Sequence, residues 1–167
     1  MLDNRFPLAS SGPPRPSRLI MPRELRNTAA PERYEIAGRH ALLVSLREGD
    51  TLRLINHEGG QRAELVATDE TGRIDPGVIG TKSNCTAEGT RALLAEGDRA
   101  GPGLSRLRQG LERRQIDLSK AGGITMFDPQ TPAGNEESFT VTRDGHLLIS
   151  APAEPMDPHT QDTSSPL

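Results

Sequence analysis

The chain has 167 residues and a formal net charge of -3, and hydrophobic and aromatic residues make up 33% and 2% of it. This length suits one domain, whose core has to come from Leu, Ile, Val and Ala because the chain has no Trp and few other aromatic residues. The charge argues against nucleic-acid binding, the single cysteine excludes an internal disulfide and fits a reducing cytoplasm, and no apolar run approaches the roughly 20 residues of a membrane span.

Residues 1–25 are predicted to form a disordered leader. They are rich in Pro, Ser, Gly and Arg, and Pro13, Pro14 and Pro16 remove backbone donors and favour extended chain. The segment also lacks the apolar middle part of a signal peptide. Residues 26–167 are therefore predicted to form the domain.

Three strands are predicted between His40 and Thr68. HALLVSL is a short apolar run at 40–46, and TLRLIN at 51–56 alternates between apolar and polar residues. QRAELVAT at 61–68 follows the turn HEGG, in which Gly59 and Gly60 can adopt positive φ. The expected arrangement is a three-stranded antiparallel meander.

Helices are predicted in the middle of the chain. TRALLAEG at 90–97 favours one or two helical turns that end at Gly97. The main helix is predicted over LSRLRQGLERRQ at 104–115, because Leu104, Leu107 and Leu111 fall at i, i+3 and i+7 on one face.

The last predicted elements are strands. GITMFD at 123–128 is typical of a strand, and SFTVT and HLLIS flank Asp144 and Gly145, a strong hairpin signal. The predicted fold class is α+β and β-rich: an antiparallel sheet, or a small barrel or sandwich, with one main helix packed against it.

Gln61 and Glu64 are the first candidates for a binding site. Their odd spacing on a strand places them on opposite faces. If Ala63 and Leu65 face the core, Gln61 joins them and Glu64 faces outward. Gln61 is then either a ligand-facing amide in a small barrel, an amide satisfied by neighbouring backbone, or part of a solvated strand end.

Cys85 is the second candidate, as a lone thiol in KSNCTAEG. Lys82 and a helix that begins just after the thiol would favour the thiolate. A cysteine nucleophile also needs a base, commonly His, and no His lies within twenty residues of Cys85. The alternative is an inert loop thiol.

The histidines do not form a metal-binding motif. The chain has four, with neither H-x-H nor Cys/His spacing: His40, His57, His146 and His159. His159 is the best ligand candidate because it lies between two aspartates in MDPHTQD, although a solvated turn explains that segment equally well. We therefore predict no catalytic residue and no metal in this chain.

Short motifs carry a family resemblance. Ile36, Ala37 and Gly38 open a strand, GDTLRL follows at 49–54, and GGQRAEL at 59–65 has Glu64 where related sequences usually have Asp. On these residues the chain resembles the urea-carboxylase-associated family. The phrases RNTAAPERYEI at 26–36 and EPMDPHTQDTSSPL at 154–167 are similar to the N-terminal module of folate-dependent aminomethyltransferase fusions of the glycine-cleavage T-protein type.

The resemblance implies an accessory, non-catalytic module that lacks its last strand. Its partner would be an aminomethyltransferase domain or subunit, in a homo- or hetero-oligomer. It would hold no cofactor, and tetrahydrofolate would enter only through a downstream transferase domain. Enzymes of the wider family carry a G-R-H-D stretch and several cysteines, whereas this chain has only Cys85. Two alternatives stay open: a subunit of a urea- or guanidine-degrading amide hydrolase or deiminase, and a small-metabolite binding module.

Overall fold

The helices and strands lie close to the positions that the sequence pattern predicts. The computed structural model describes residues 31–153, and the folded unit begins at Glu32. Within that range the strands and helices are β1 (Ala41–Leu46), β2 (Thr51–Asn56), β3 (Ala63–Asp69), α1 (Glu88–Glu96), α2 (Leu104–Arg113), β4 (Ile124–Met126), β5 (Asn135–Thr140) and β6 (Gly145–Ser150). The predicted β-rich α+β class is confirmed.

The strands form two antiparallel sheets. The larger sheet has the order β1-β6-β3-β4, and β2 and β5 form a second sheet of two strands. Strand β6 pairs with β1 on one side and with β3 on the other. In this register Glu64 of β3 lies opposite Ser150 of β6 and Thr125 of β4.

The predicted meander is wrong, because β2 pairs with neither β1 nor β3. It pairs with β5, with Thr51 opposite Thr140. The turn itself is as predicted, since Gly59 and Gly60 have φ values of 79° and 68°, but it carries the chain from one sheet to the other. Alternation of apolar residues identifies a strand without determining its partner.

The predicted hairpin around Asp144 and Gly145 is also wrong. The chain turns there, but β5 belongs to the two-stranded sheet and β6 to the larger one. The two strands therefore lie in different layers although only four residues separate Thr140 from Gly145. The physical reason is burial: Leu147 and Leu148 are 0% and 2% exposed, so β6 has to be covered on both faces.

The core has two halves, one on each face of the larger sheet. On the first face, buried sheet residues pack against buried leucines of both helices: Leu43, Val66, Leu148, Leu93, Leu94, Leu104 and Leu111. On the second face, the buried residues include Leu46, Leu65, Ala67, Leu147 and Val141, and half-buried residues of the two-stranded sheet cover them. The helices, the larger sheet and the smaller sheet therefore form three layers.

Glu64 is buried by this arrangement, and the expectation that it faces outward is wrong. It does point away from the face of Leu65, as the period of two requires. That opposite face is covered by the helices, and Glu64 is only 3% exposed.

The two helices agree with their sequence signals. In α2, Leu104 and Leu111 are buried and Leu107 is partly buried, so the predicted apolar face is confirmed. Helix α1 is longer than predicted, and Gly97 follows its last residue with a φ of 57°.

Some predictions fall outside residues 31–153. The leader, the C-terminal ending and a missing final strand are not tested by the structure and stay predictions. In the described part of the chain, neither helix has the length and hydropathy to cross a membrane.

Candidate functional site

The strongest candidate site is a cleft at the first turn of α1, which we call the α1 cleft. It has a volume of about 360 Å³. Its lining comes from β3 and the residue before it, from β4, from the loop before α1, from α1 itself and from the segment after β6: Arg62, Glu64, Cys85, Thr86, Ala87, Glu88, Gly89, Ala92, Thr125 and Ala153. Two residues that the sequence suggested separately, Glu64 and Cys85, therefore meet here.

Glu64 provides the cap that α1 lacks. Ala87 precedes the helix in a left-handed conformation and makes no side-chain cap. Instead, the backbone N–H of Thr90 donates to Oε2 of Glu64 at 2.8 Å, and the Thr90 hydroxyl donates to the same oxygen at 2.8 Å. A carboxylate at a helix N-terminus satisfies free N–H groups and interacts favourably with the helix dipole.

The cap belongs to a small buried polar network. The Thr90 and Ser150 hydroxyl oxygens lie 2.7 Å apart, and both residues are 0% exposed. The Ser150 hydroxyl also lies 3.4 Å from the backbone oxygen of Glu64. Because Thr90 belongs to α1, Ser150 to β6 and Glu64 to β3, the network ties the helix to two central strands.

The other carboxylate oxygen of Glu64 lies near a cation. Oε1 lies 3.7 Å from Nη2 of Arg62, whose side chain is 22% exposed. This ion pair is longer than a direct hydrogen bond. The absence of a side chain at Gly89 leaves space for Oε1 of Glu64, because a Cβ at that position would lie 2.7 Å from this oxygen.

Cys85 is half-buried and also lines the cleft. Its backbone forms an isolated bridge with Gly123: the Gly123 N–H donates to the Cys85 oxygen at 3.0 Å. The neighbouring Asn84 side chain accepts from the Thr125 N–H at 2.7 Å and donates to the Thr125 oxygen at 3.1 Å. The loop that carries the thiol is thus fixed to β4.

The described histidines lie elsewhere. His57 contacts Arg33, and His40 lies against Gly101. The Nδ1 atom of His146 lies 3.2 Å from the Ser45 hydroxyl. None of the three lines the α1 cleft, so within residues 31–153 the structure does not bring a histidine base to Cys85.

Gln61 lies beside the cleft without lining it. Its Nε2 donates to the Arg62 oxygen at 2.8 Å and to the Pro152 oxygen at 3.1 Å. The amide is therefore satisfied by backbone, which was one of the alternatives for this residue. His159 lies outside the described residues, and within them no group of three or more His, Cys, Asp or Glu side chains is placed to hold a metal ion.

Sequence reasoning missed the partners of Glu64. Thr90 and Ser150 are distant in the chain and belong to no motif. The position of Glu64 in the sequence could have indicated such partners. It lies in the strongly apolar run AELVAT, and a glutamate there requires buried partners if both faces of the strand are covered.

Comparison with known proteins identifies one informative relative. A protein from Ruegeria pomeroyi is 42% identical over all 167 residues of this chain. It is a trimethylamine-oxide aldolase. The chain spans only 21% of that protein's length, so it is similar to one part of a larger protein. No known protein-family profile matches the chain, and no solved structure matches it.

Proposed function

We propose that this chain is an accessory, non-catalytic module of a cytoplasmic protein of the trimethylamine-oxide aldolase type. The observation that carries the proposal is the 42% identity, which extends over the whole chain but only a fifth of the relative (21%). A match of this kind is expected when one module of a multidomain enzyme is compared with the complete enzyme.

The accessory role is supported by the chemistry of the α1 cleft. Glu64 commits one carboxylate oxygen to two donors of Thr90, which is a structural task. Cys85 lines the cleft together with residues that supply no imidazole. A cysteine nucleophile works best with an adjacent general base, so we place the bond-breaking chemistry in another part of the protein.

The proposed partner is a folate-dependent transferase domain of the aminomethyltransferase type, in a homo- or hetero-oligomer. An aldolase-type cleavage of trimethylamine N-oxide, C3H9NO, balances as dimethylamine, C2H7N, and formaldehyde, CH2O. Tetrahydrofolate is a natural acceptor for a carbon at that oxidation level. The proposed aldolase reaction would therefore release a one-carbon unit that a folate-dependent domain of the aminomethyltransferase type could accept.

Kinetics of a conservative variant test the accessory role. In the protein of full natural length, Cys85→Ser should keep kcat with trimethylamine N-oxide within about twofold of the wild type, because the thiol takes no part in the chemical step. A fall in kcat of about 100-fold or more would instead make Cys85 catalytic. Release of ammonia from urea or guanidine, with trimethylamine N-oxide inert, would favour the amide hydrolase alternative.

A further inference from the structure

We propose that the free edge of β1 docks an extended strand from the remainder of the larger protein, which continues the larger sheet beyond β1. The inference rests on the part of the proposed function that makes this chain one module of such a protein. It assigns the surface through which the module is joined to the rest of the polypeptide.

Strand β1 has an unpaired edge. It is the outer strand of the larger sheet and pairs with β6 alone. The Ala151 N–H donates to the His40 oxygen at 2.9 Å, so the backbone of His40 faces β6. Because backbone groups alternate in direction along an antiparallel strand, those of Ala41, Leu43 and Ser45 face the free edge. No other backbone group within residues 31–153 bonds to them there.

Strand β1 also lacks the features that protect the other strand edges. An exposed edge is usually short, charged or covered, since its unpaired groups otherwise attract a further strand. β4 has only three residues, and the Asn84 side chain bonds both the N–H and the oxygen of Thr125. β2 carries Arg53, and β5 carries Glu136 and Glu137. ALLVSL in β1 has no charged residue and no proline, so nothing in its sequence opposes pairing.

The side chain of Leu42 is incompletely covered. It is half-buried but belongs to neither half of the core. Alternation along the strand places it on the same face as Val44 and Leu46, both of which pack in the second half of the core. An added strand with apolar residues on this face would cover Leu42 and extend that half of the core.

The size of the relative favours a strand from the same polypeptide. This chain spans 21% of that protein's length, so most of such a protein lies outside the chain. Segments of one polypeptide meet at an effective concentration on the order of millimolar when their connection is short and flexible, and a second copy in dilute solution has no such advantage. The occupant is therefore an extended, mainly apolar segment of the larger protein.

Hydrogen exchange of the protein of full natural length, followed by mass spectrometry, tests the proposal. With the edge paired, all six amides of Ala41–Leu46 should exchange slowly, as in β6, which has a partner strand on each side. With the edge free, only about half should be slow, as in the charged strand β5, which pairs with β2. Strands β6 and β5 are thus internal references for two-sided and one-sided pairing.

A charge at the edge provides a second readout. Leu42→Lys places an ammonium group where the added strand would pack, and exchange of the outward amides of β1 should become at least about tenfold faster. Slow exchange in β6 shows that the variant is folded. Thr140→Lys is the matched control, because it adds the same charge at an exposed position of β5. It should leave exchange in β1 within about twofold of the wild type.

Full protection of β1 at every protein concentration, lost in Leu42→Lys, is the expected result. Protection of only half of the amides, or protection that Leu42→Lys leaves unchanged, would overturn the proposal. Protection that falls on dilution, together with loss of a dimer in light scattering, would overturn it in favour of a second copy. If Leu42→Lys does not fold, the wild-type pattern and its dependence on concentration decide the question.

Consumption of trimethylamine N-oxide judges the proposed function separately. A fully protected β1 in a protein that leaves the N-oxide unchanged would overturn the aldolase-type function and keep the docked strand. Consumption of the N-oxide by a protein whose β1 is only half protected would overturn the docked strand alone.

Discussion

At the scale of single residues, the burial of Glu64 gives it a different role from the one that its spacing in the sequence suggested. The odd spacing of Gln61 and Glu64 indicated opposite faces, and Glu64 indeed lies on the face opposite Leu65. The sequence could not tell which face is covered, because the helices that cover it come from a segment that begins more than twenty residues later. Glu64 is therefore an internal cap and not a solvated charge.

His146 provides a prediction at the residue scale. Desolvation by burial, aided by the positive charge of Arg114, lowers the pKa of His146 below its ordinary value of 6.5, while Glu70 opposes the shift. The unfolded chain then binds more protons than the folded chain between the lowered pKa and 6.5. The contribution of His146 to stability is complete above that window and declines as the pH falls through it.

Urea unfolding at a series of pH values checks this expectation. His146→Gln should flatten the decline in the free energy of unfolding below pH 6.5. His57→Gln is the control and should leave that decline unchanged, because its ring lies in an exposed contact with Arg33. If the His146→Gln and wild-type curves run parallel at every pH, His146 is not the source of the decline.

At the scale of elements, the sequence pattern predicted where the strands and helices lie but not which strands pair with each other. TLRLIN coincides with β2 and ITM with β4, and the apolar face of Leu104, Leu107 and Leu111 is the buried face of α2. These elements follow from local periodicity. The pairing of β2 with β5 depends on contacts between residues about 80 to 90 positions apart, for which a single sequence contains no direct signal.

The attachment of α1 to the larger sheet yields a prediction at this scale. Thr90→Val keeps the branched shape and removes the hydroxyl that contacts both Glu64 and Ser150. The variant should lose about 1–3 kcal/mol of unfolding free energy, because a buried carboxylate and a buried hydroxyl each lose a partner. Equilibrium urea unfolding measures this loss.

Thr51→Val is the matched control for that prediction. Thr51 is exposed at the start of β2, and its substitution should change the unfolding free energy by less than about 0.5 kcal/mol. Equal losses in the two variants would mean that the Glu64 network does not hold α1 to the sheet.

At the scale of the whole molecule, the chain forms a layered fold and is similar to one part of a larger protein. The three layers bury a leucine-rich core, and the α1 cleft is lined by two carboxylates, one guanidinium and one thiol. The motifs predicted an accessory module of a folate-linked transferase, and the relative that the chain is similar to is a larger protein, a trimethylamine-oxide aldolase. Both are compatible with the proposal that the chain is a module of a larger protein, although the motifs did not indicate an aldolase.

The most direct test of this account is the product balance of the full-length protein supplied with trimethylamine N-oxide. The account predicts that dimethylamine and formaldehyde appear in equal amounts as the N-oxide disappears, measured by proton NMR of the amine methyl groups and by chemical trapping of the aldehyde. Addition of tetrahydrofolate should lower the free aldehyde without changing the amine yield. Consumption of no N-oxide, or formation of the amine without a one-carbon product, would contradict the account.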